Sequence, residues 1–210
     1  MMTLPKRPIH NDGGKFDMNL KKSLLRILLA AAMVVFVFAD PLFARELEAP
    51  FPQYGTGPIQ VRLYTDYFCP PCRAMEPSVE PLLFDLLKRK VITLTLVDLP
   101  LSRVSALYAK YFLYALKVKN DRDHAFHVRN VLIAATSDRQ MTTEARIAEL
   151  FKSKGIPHAV FEARPALERY NALIREDKVQ ATPTCVIIRD GKKGTFLGGT
   201  DIIAALKSLQ

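Results

Sequence analysis

The sequence predicts an α/β domain in which a small mixed sheet carries helices on both faces. Three observations predict it. β-Branched and aromatic runs at 59–67, 91–99 and 182–199 read as strands. Apolar residues at helical spacing fill most of 72–90 and 102–177. The resulting order is β–α–β, a helical block, then β–β–α. At 210 residues and 49% hydrophobic, the chain has material for one ordinary domain.

The N-terminus stands apart. Lys21, Lys22 and Arg26 precede the apolar run "ILLAAAMVVFVFA" at 27–39, a cationic region followed by a hydrophobic region of secretory-signal length. The run is short for a membrane span. Met18 is the natural start of such a signal, which makes 1–17 an extension or an over-read start. Cleavage fits after Ala39 or after Ala44, and an uncleaved anchor through 24–43 is the alternative. Either version sends the rest of the chain to a periplasmic or other extracytoplasmic compartment, where disulfides persist. Residues 1–44 therefore form a signal or anchor, 45–58 a Pro- and Gly-rich linker, and 59–210 the folded domain.

Within the domain, "IQVRLYTDY" at 59–67 reads as a strand running into "FCPPCR". From Cys72 to Lys90, Met75, Val79, Leu82, Leu83, Leu86 and Leu87 recur at helical spacing, and Pro77 and Pro81 inside the run predict a kink. "VITLTLVDL" at 91–99 is the near-continuous apolar run of a strand covered on both faces. Helices follow at 102–118, 124–136 and 143–155, the last with Thr143 as N-cap and Gly155 as stop. Helical spacing continues over 157–177 with a break at Pro165. "TPTCVIIRDGKKGTFLGG" at 182–199 reads as a hairpin turning at Asp190-Gly191, and 200–209 as a closing amphipathic helix.

The net charge of +9 divides into +3 over residues 1–44 and +6 over the remainder. The basic residues are scattered among acids with no aromatic-interleaved stripe, which speaks for a solvated surface and against nucleic acid as a partner. Three cysteines are too few for a disulfide framework. Zinc needs about four Cys or His ligands, generally as two close pairs. His124 and His127 do not complete Cys69 and Cys72, so no metal is expected.

A purely structural Cys69–Cys72 disulfide would close too short a loop to remove much unfolded-state entropy. A strand leading into a helix instead places Cys69 at the helix N-terminus, where unpaired N–H groups and the helix dipole stabilise a thiolate. Cys72, one turn on, is placed to resolve a mixed disulfide. Arg73 can add positive potential if it points to the sulfur. Pro70 and Pro71 have no N–H to offer the Cys69 sulfur, which weakens that stabilisation.

These features together resemble the thioredoxin superfamily and, within it, DsbA-like thiol–disulfide oxidoreductases. "TDYFCPPC" is similar to the active-site entry of that branch, Pro77 to its helix proline, and "VQATPTCVI" at 179–187 to the strand entry bearing its cis-proline. The helical block at about 102–177 is similar to the DsbA-type insertion between the two halves of a thioredoxin-like fold.

The resemblance implies disulfide exchange with substrate proteins, Cys69 as nucleophile and Cys72 as resolving thiol. It also implies a cis Thr182–Pro183 bond shaping the substrate groove, with no cofactor besides the dithiol. A membrane redox partner is implied too, either a quinone-linked oxidase or a transmembrane electron donor. Phe68 stands where thioredoxins have tryptophan and is expected on an apolar rim.

Two departures follow. Leu63 occupies the position of the family's buried acid, and Asp66 either substitutes for that acid or caps the turn. Cys185 reads as a buried, inert thiol. Two alternative functions are a dedicated reductase or isomerase, as in cytochrome c assembly, and a non-catalytic module that binds a metal or a partner.

Overall fold

The computed structural model describes residues 49–210. The segment read as a signal or anchor, and the first residues of the linker, lie outside them. Five strands form one mixed sheet: β1 (Gln53–Tyr54), β2 (Ile59–Thr65), β3 (Ile92–Asp98), β4 (Thr184–Arg189) and β5 (Lys192–Leu197). Among the described residues there are six helices: α1 (Pro70–Lys88), α2 (Arg103–Val118), α3 (Arg122–Ala135), α4 (Glu144–Ser153), α5 (Arg164–Glu176) and α6 (Gly199–Lys207). None of them is long and apolar enough to cross a membrane.

The strand order is β1-β3-β2-β4-β5. β2 and β3 run parallel, in register from Ile59↔Ile92 to Thr65↔Asp98, and α1 makes the crossover between them. The other pairings are antiparallel. β2 and β3 lie inside the sheet, which is why both read as nearly continuous apolar runs. Side chains alternate across a strand. Arg62 and Tyr64 of β2 therefore reach α5, and Val61 and Leu63 point to the opposite face. Asp177, at the C-terminal cap of α5, accepts hydrogen bonds from Arg62 (3.0 Å), Lys193 and Tyr64, which fastens that helix to β2 and β5.

Several boundaries differ from the sequence reading. The linker already contains β1, a two-residue strand too short for any periodic signal. α3 begins two residues early because Asp121 caps it, accepting from His124 N at 2.9 Å. α1 begins at Pro70, two residues before the helical spacing was read to start, and carries both Pro77 and Pro81 within it. Residues 157–163 are not helical, and Pro165 opens α5 rather than breaking a longer helix. That is the first-turn position where a missing N–H removes no helical hydrogen bond.

At the junction into β2, Gly57 N donates to Ile92 O (3.1 Å) and Thr93 Oγ1 donates to Gly57 O (2.8 Å). A Cβ there would sit 2.1 Å from Ile92 N, in rigid backbone. Gly57→Ala is therefore expected to lower stability by about 1–3 kcal/mol, read from the urea midpoint. An unchanged midpoint would mean that the two segments separate freely.

Candidate active site

The turn after β2 is organised by Asp66. Its carboxylate accepts from Phe68 N (2.7 Å) and from Leu101 N (2.9 Å), joining the β2–α1 turn to the β3–α2 loop. Cys69 follows as the N-cap of α1, with extended backbone angles of φ −71° and ψ 115°. Pro70 and Pro71 occupy the first helical positions, where the absent N–H groups would have lacked intrahelical partners anyway. Arg73 N donates to Cys69 O at 3.2 Å, the first bond of the helix.

Cys69 and Cys72 are both buried free thiols, 7% and 3% exposed. Cys69 Sγ donates to the Thr182 carbonyl at 3.4 Å, across 113 residues of chain. Burial, reinforced by the neighbouring Cys69 sulfur, pushes the Cys72 thiol up to about 12. The Thr182–Pro183 peptide bond is cis. This segment is fixed from both sides: Gly198 N donates to Pro183 O (3.0 Å), and Thr184 Oγ1 donates to Ala181 O (2.7 Å).

Phe68 is half-buried and meets Tyr108 of α2 edge-on, with centroids 4.9 Å apart. Pro70 and Pro71 are exposed. Two further apolar side chains escaped sequence reasoning. Leu101, beside Asp66, is 61% exposed, and Leu197, opposite Thr184 in register, is 59% exposed. Nothing in a local pattern marks a loop leucine or a strand-end leucine as part of a rim; the topology brings them to the edges of this site.

The Arg73 guanidinium donates to Thr136 Oγ1 at 2.9 Å, tying α1 to the C-terminal end of α3. Leu63 is a buried core residue opposite Cys185 in the β2–β4 register. Cys185 is fully buried, and burial pushes its thiol up to about 12. His124 is half-buried and His127 exposed. Among the described residues, no three His, Cys, Asp or Glu side chains are arranged to hold a metal ion.

A buried ionic cluster was also missed. Arg129 of α3 donates to Glu76 Oε1 (3.3 Å) and to Thr65 Oγ1 (3.2 Å), and its Nη1 lies 3.6 Å from Asp98 Oδ1. Tyr67 Oη donates to Asp98 Oδ2 at 3.4 Å. The available signal was Glu76 itself, a charge set between the core residues Met75 and Val79 at helical spacing from Cys72.

A thioredoxin family model matches residues 56–195. No curated protein matches the chain. Among solved structures, a periplasmic thioredoxin-like protein from Salmonella enterica serovar Typhimurium aligns with a TM-score of 0.58 at 18% identity, covering 82% of this chain and 97% of that one. The thiol–disulfide exchange protein α-DsbA2 from Wolbachia pipientis aligns with a TM-score of 0.59 at 20% identity, covering 76% and 85%. The catalytic domain of Proteus mirabilis ScsC aligns with a TM-score of 0.57 at 20% identity, covering 78% and 90%. At these identities the likeness is one of fold.

Proposed function

The chain belongs to the thioredoxin family, and on that footing we propose that it is an exported thiol–disulfide oxidoreductase that exchanges disulfides with substrate proteins. One observation carries this reading above the others: Cys69 caps a helix N-terminus with its sulfur against the Thr182 carbonyl, while Cys72 lies behind it at 3% exposure. That arrangement offers one sulfur to a substrate and holds the second in reserve.

In the oxidising direction, a substrate thiolate attacks Cys69 Sγ of the Cys69–Cys72 disulfide. The intramolecular S–S bond breaks, a Cys69–substrate S–S bond forms, and Cys72 leaves as a thiolate that takes up a proton. A second substrate thiolate then attacks its own sulfur in the mixed disulfide, and Cys69 leaves as a thiolate at the N-terminus of α1. In the reducing direction Cys69 thiolate attacks a substrate disulfide, and Cys72 releases the substrate by attacking Cys69. Two electrons move in either direction, and no cofactor besides the dithiol is needed.

Leu101, Phe68 and Leu197 supply apolar contact for an unfolded segment around a substrate cysteine. The fixed backbone at 181–184 lies against the same sulfur. Export through the N-terminal segment and recharging by a membrane redox partner complete the reading.

Cys72→Ala tests it directly. The variant is expected to accumulate covalent adducts with protein thiols through Cys69, seen as dithiothreitol-sensitive bands on a non-reducing gel. A non-catalytic binding module would form none, and their absence would end the proposal.

A further inference from the structure

Arg73 stands one helical turn beyond Cys69 on α1, its backbone N–H bonded to the Cys69 carbonyl. Residues four apart on a helix are surface neighbours, with Cβ atoms about 5–6 Å apart. Arg73 therefore flanks Cys69, and Thr136 at the end of α3 holds its guanidinium on the α3 side of the dithiol.

That guanidinium is half-buried and lacks a counter-charge. It carries five N–H donors. Thr136 Oγ1 takes one, and Nε is enclosed without a partner. Among the described residues Arg73 makes no ion pair. A bond to one hydroxyl needs a donor and no charge, while drawing an uncompensated cation out of water is costly. The fold alone thus gives no reason for an arginine here.

The nearby carboxylates are engaged elsewhere. Asp66, 3% exposed, gives one oxygen to Phe68 N and the other to Leu101 N. Glu76 is held by Arg129, and Glu80, two turns along α1 from Arg73, by Asn130. Asp138, two residues past Thr136, is exposed and accepts from Gln140 N. Arg103, two residues past Leu101, and Arg139, beside Asp138, are exposed and make no ion pair among the described residues. Cations therefore predominate on this side of the dithiol. α1 and α2 add the positive ends of their dipoles, since neither has an acid in its first turn.

We propose that Arg73 selects the substrate: it receives the carboxylate of an acidic residue beside the substrate cysteine while that cysteine bonds to Cys69. The inference rests on the exchange activity proposed above and alters none of its bond changes. A guanidinium fork matches a carboxylate in geometry as well as charge. An extended chain advances about 3.3–3.6 Å per residue, so a residue one or two places from the substrate cysteine comes level with Arg73. Phe68, Leu101 and Leu197 meet the apolar part of the same segment. The substrate class is an unfolded segment with Asp or Glu next to its reacting cysteine.

The test uses oxidised full-length protein and three peptides, alike except for Glu, Gln or Lys beside a single cysteine. Formation of the mixed disulfide is followed by acid quench, and each rate is divided by that peptide's rate with hydroxyethyl disulfide. Wild type is expected to favour Glu over Gln by about fivefold, the scale of an ion pair at a partly exposed site, and Glu over Lys by more. Arg73→Gln should abolish the Glu preference, and Arg73→Glu should reverse the order. About 1 M salt should weaken the wild-type preference.

A role confined to fastening α1 to α3 would make Arg73→Gln slow all three peptides alike. That result, or a Glu preference that survives the substitution, would overturn the proposal. Should the variants fail to fold, wild type decides: no normalised preference for Glu, or one unmoved by salt, overturns it. A wild-type protein that bonds none of the peptides would remove the proposed function and this inference with it. Equal bonding of all three would remove the inference alone.

Discussion

Replacing Arg129 with leucine is expected to lower the unfolding free energy by about 3–5 kcal/mol at pH 8, the cost of removing one partner from a buried ion pair. The guanidinium is 3% exposed and spans three elements, with Glu76 on α1, Thr65 at the end of β2 and Asp98 at the end of β3. Without it, two carboxylates remain out of water with no cation. Asp98, which burial already pushes up, is then protonated still more readily in the folded chain than in the unfolded one. The folded state therefore binds more protons, and stability falls as pH rises.

The deficit should thus widen from pH 5 to pH 8 when urea midpoints of variant and wild type are compared. Adding Glu76→Gln to Arg129→Leu should restore part of the loss, because one stranded charge is gone. A deficit that stays constant with pH would show that the cost is lost packing rather than unpaired charge.

Cys69→Ser should abolish disulfide exchange altogether, because a serine oxygen cannot enter the S–S bond that both half-reactions require. No other thiol can take over. Cys72 is 3% exposed and protonated at neutral pH, and Cys185 is fully buried in β4. The measurement is reduction of a disulfide-bonded protein substrate by dithiothreitol, with and without the variant. Any acceleration over buffer would mean that Cys72 is reached from solvent, against the geometry described here.

The fold was legible to the extent that periodicity extends over long runs. The strands at 59–65 and 92–98, the active-site helix and the hairpin at Asp190-Gly191 all carry several turns or alternations of signal. β1 could not be read because its two residues, Gln53 and Tyr54, show no period; β3 makes them a strand. The segment at 157–163 kept helical spacing yet did not fold as a helix, because propensity is a weak prior beside tertiary packing.

In the site, the cysteines were legible because their residue types and spacing suit thiol–disulfide chemistry, and the cis bond at 182–183 was legible only through the family resemblance of "VQATPTCVI". Asp98 and Arg129 were not, since each looks like an ordinary charge at the end of a strand or within a helix. The relation between them exists only after α3 has been laid across the ends of β2 and β3.

The contact between Cys69 and the Thr182 carbonyl has a consequence for synthesis. It joins the two ends of a 113-residue span, and β2 pairs with β4 across a similar separation. Contacts this distant in sequence close late and slowly. A chain delivered from its N-terminus presents Cys69 and Cys72 long before residues 182–189 arrive to cover them. Through that interval no part of 182–189 shields the two sulfurs. The longer α2 to α5 take to emerge and pack, the longer both thiols stay uncovered by the strand that buries them in the folded chain.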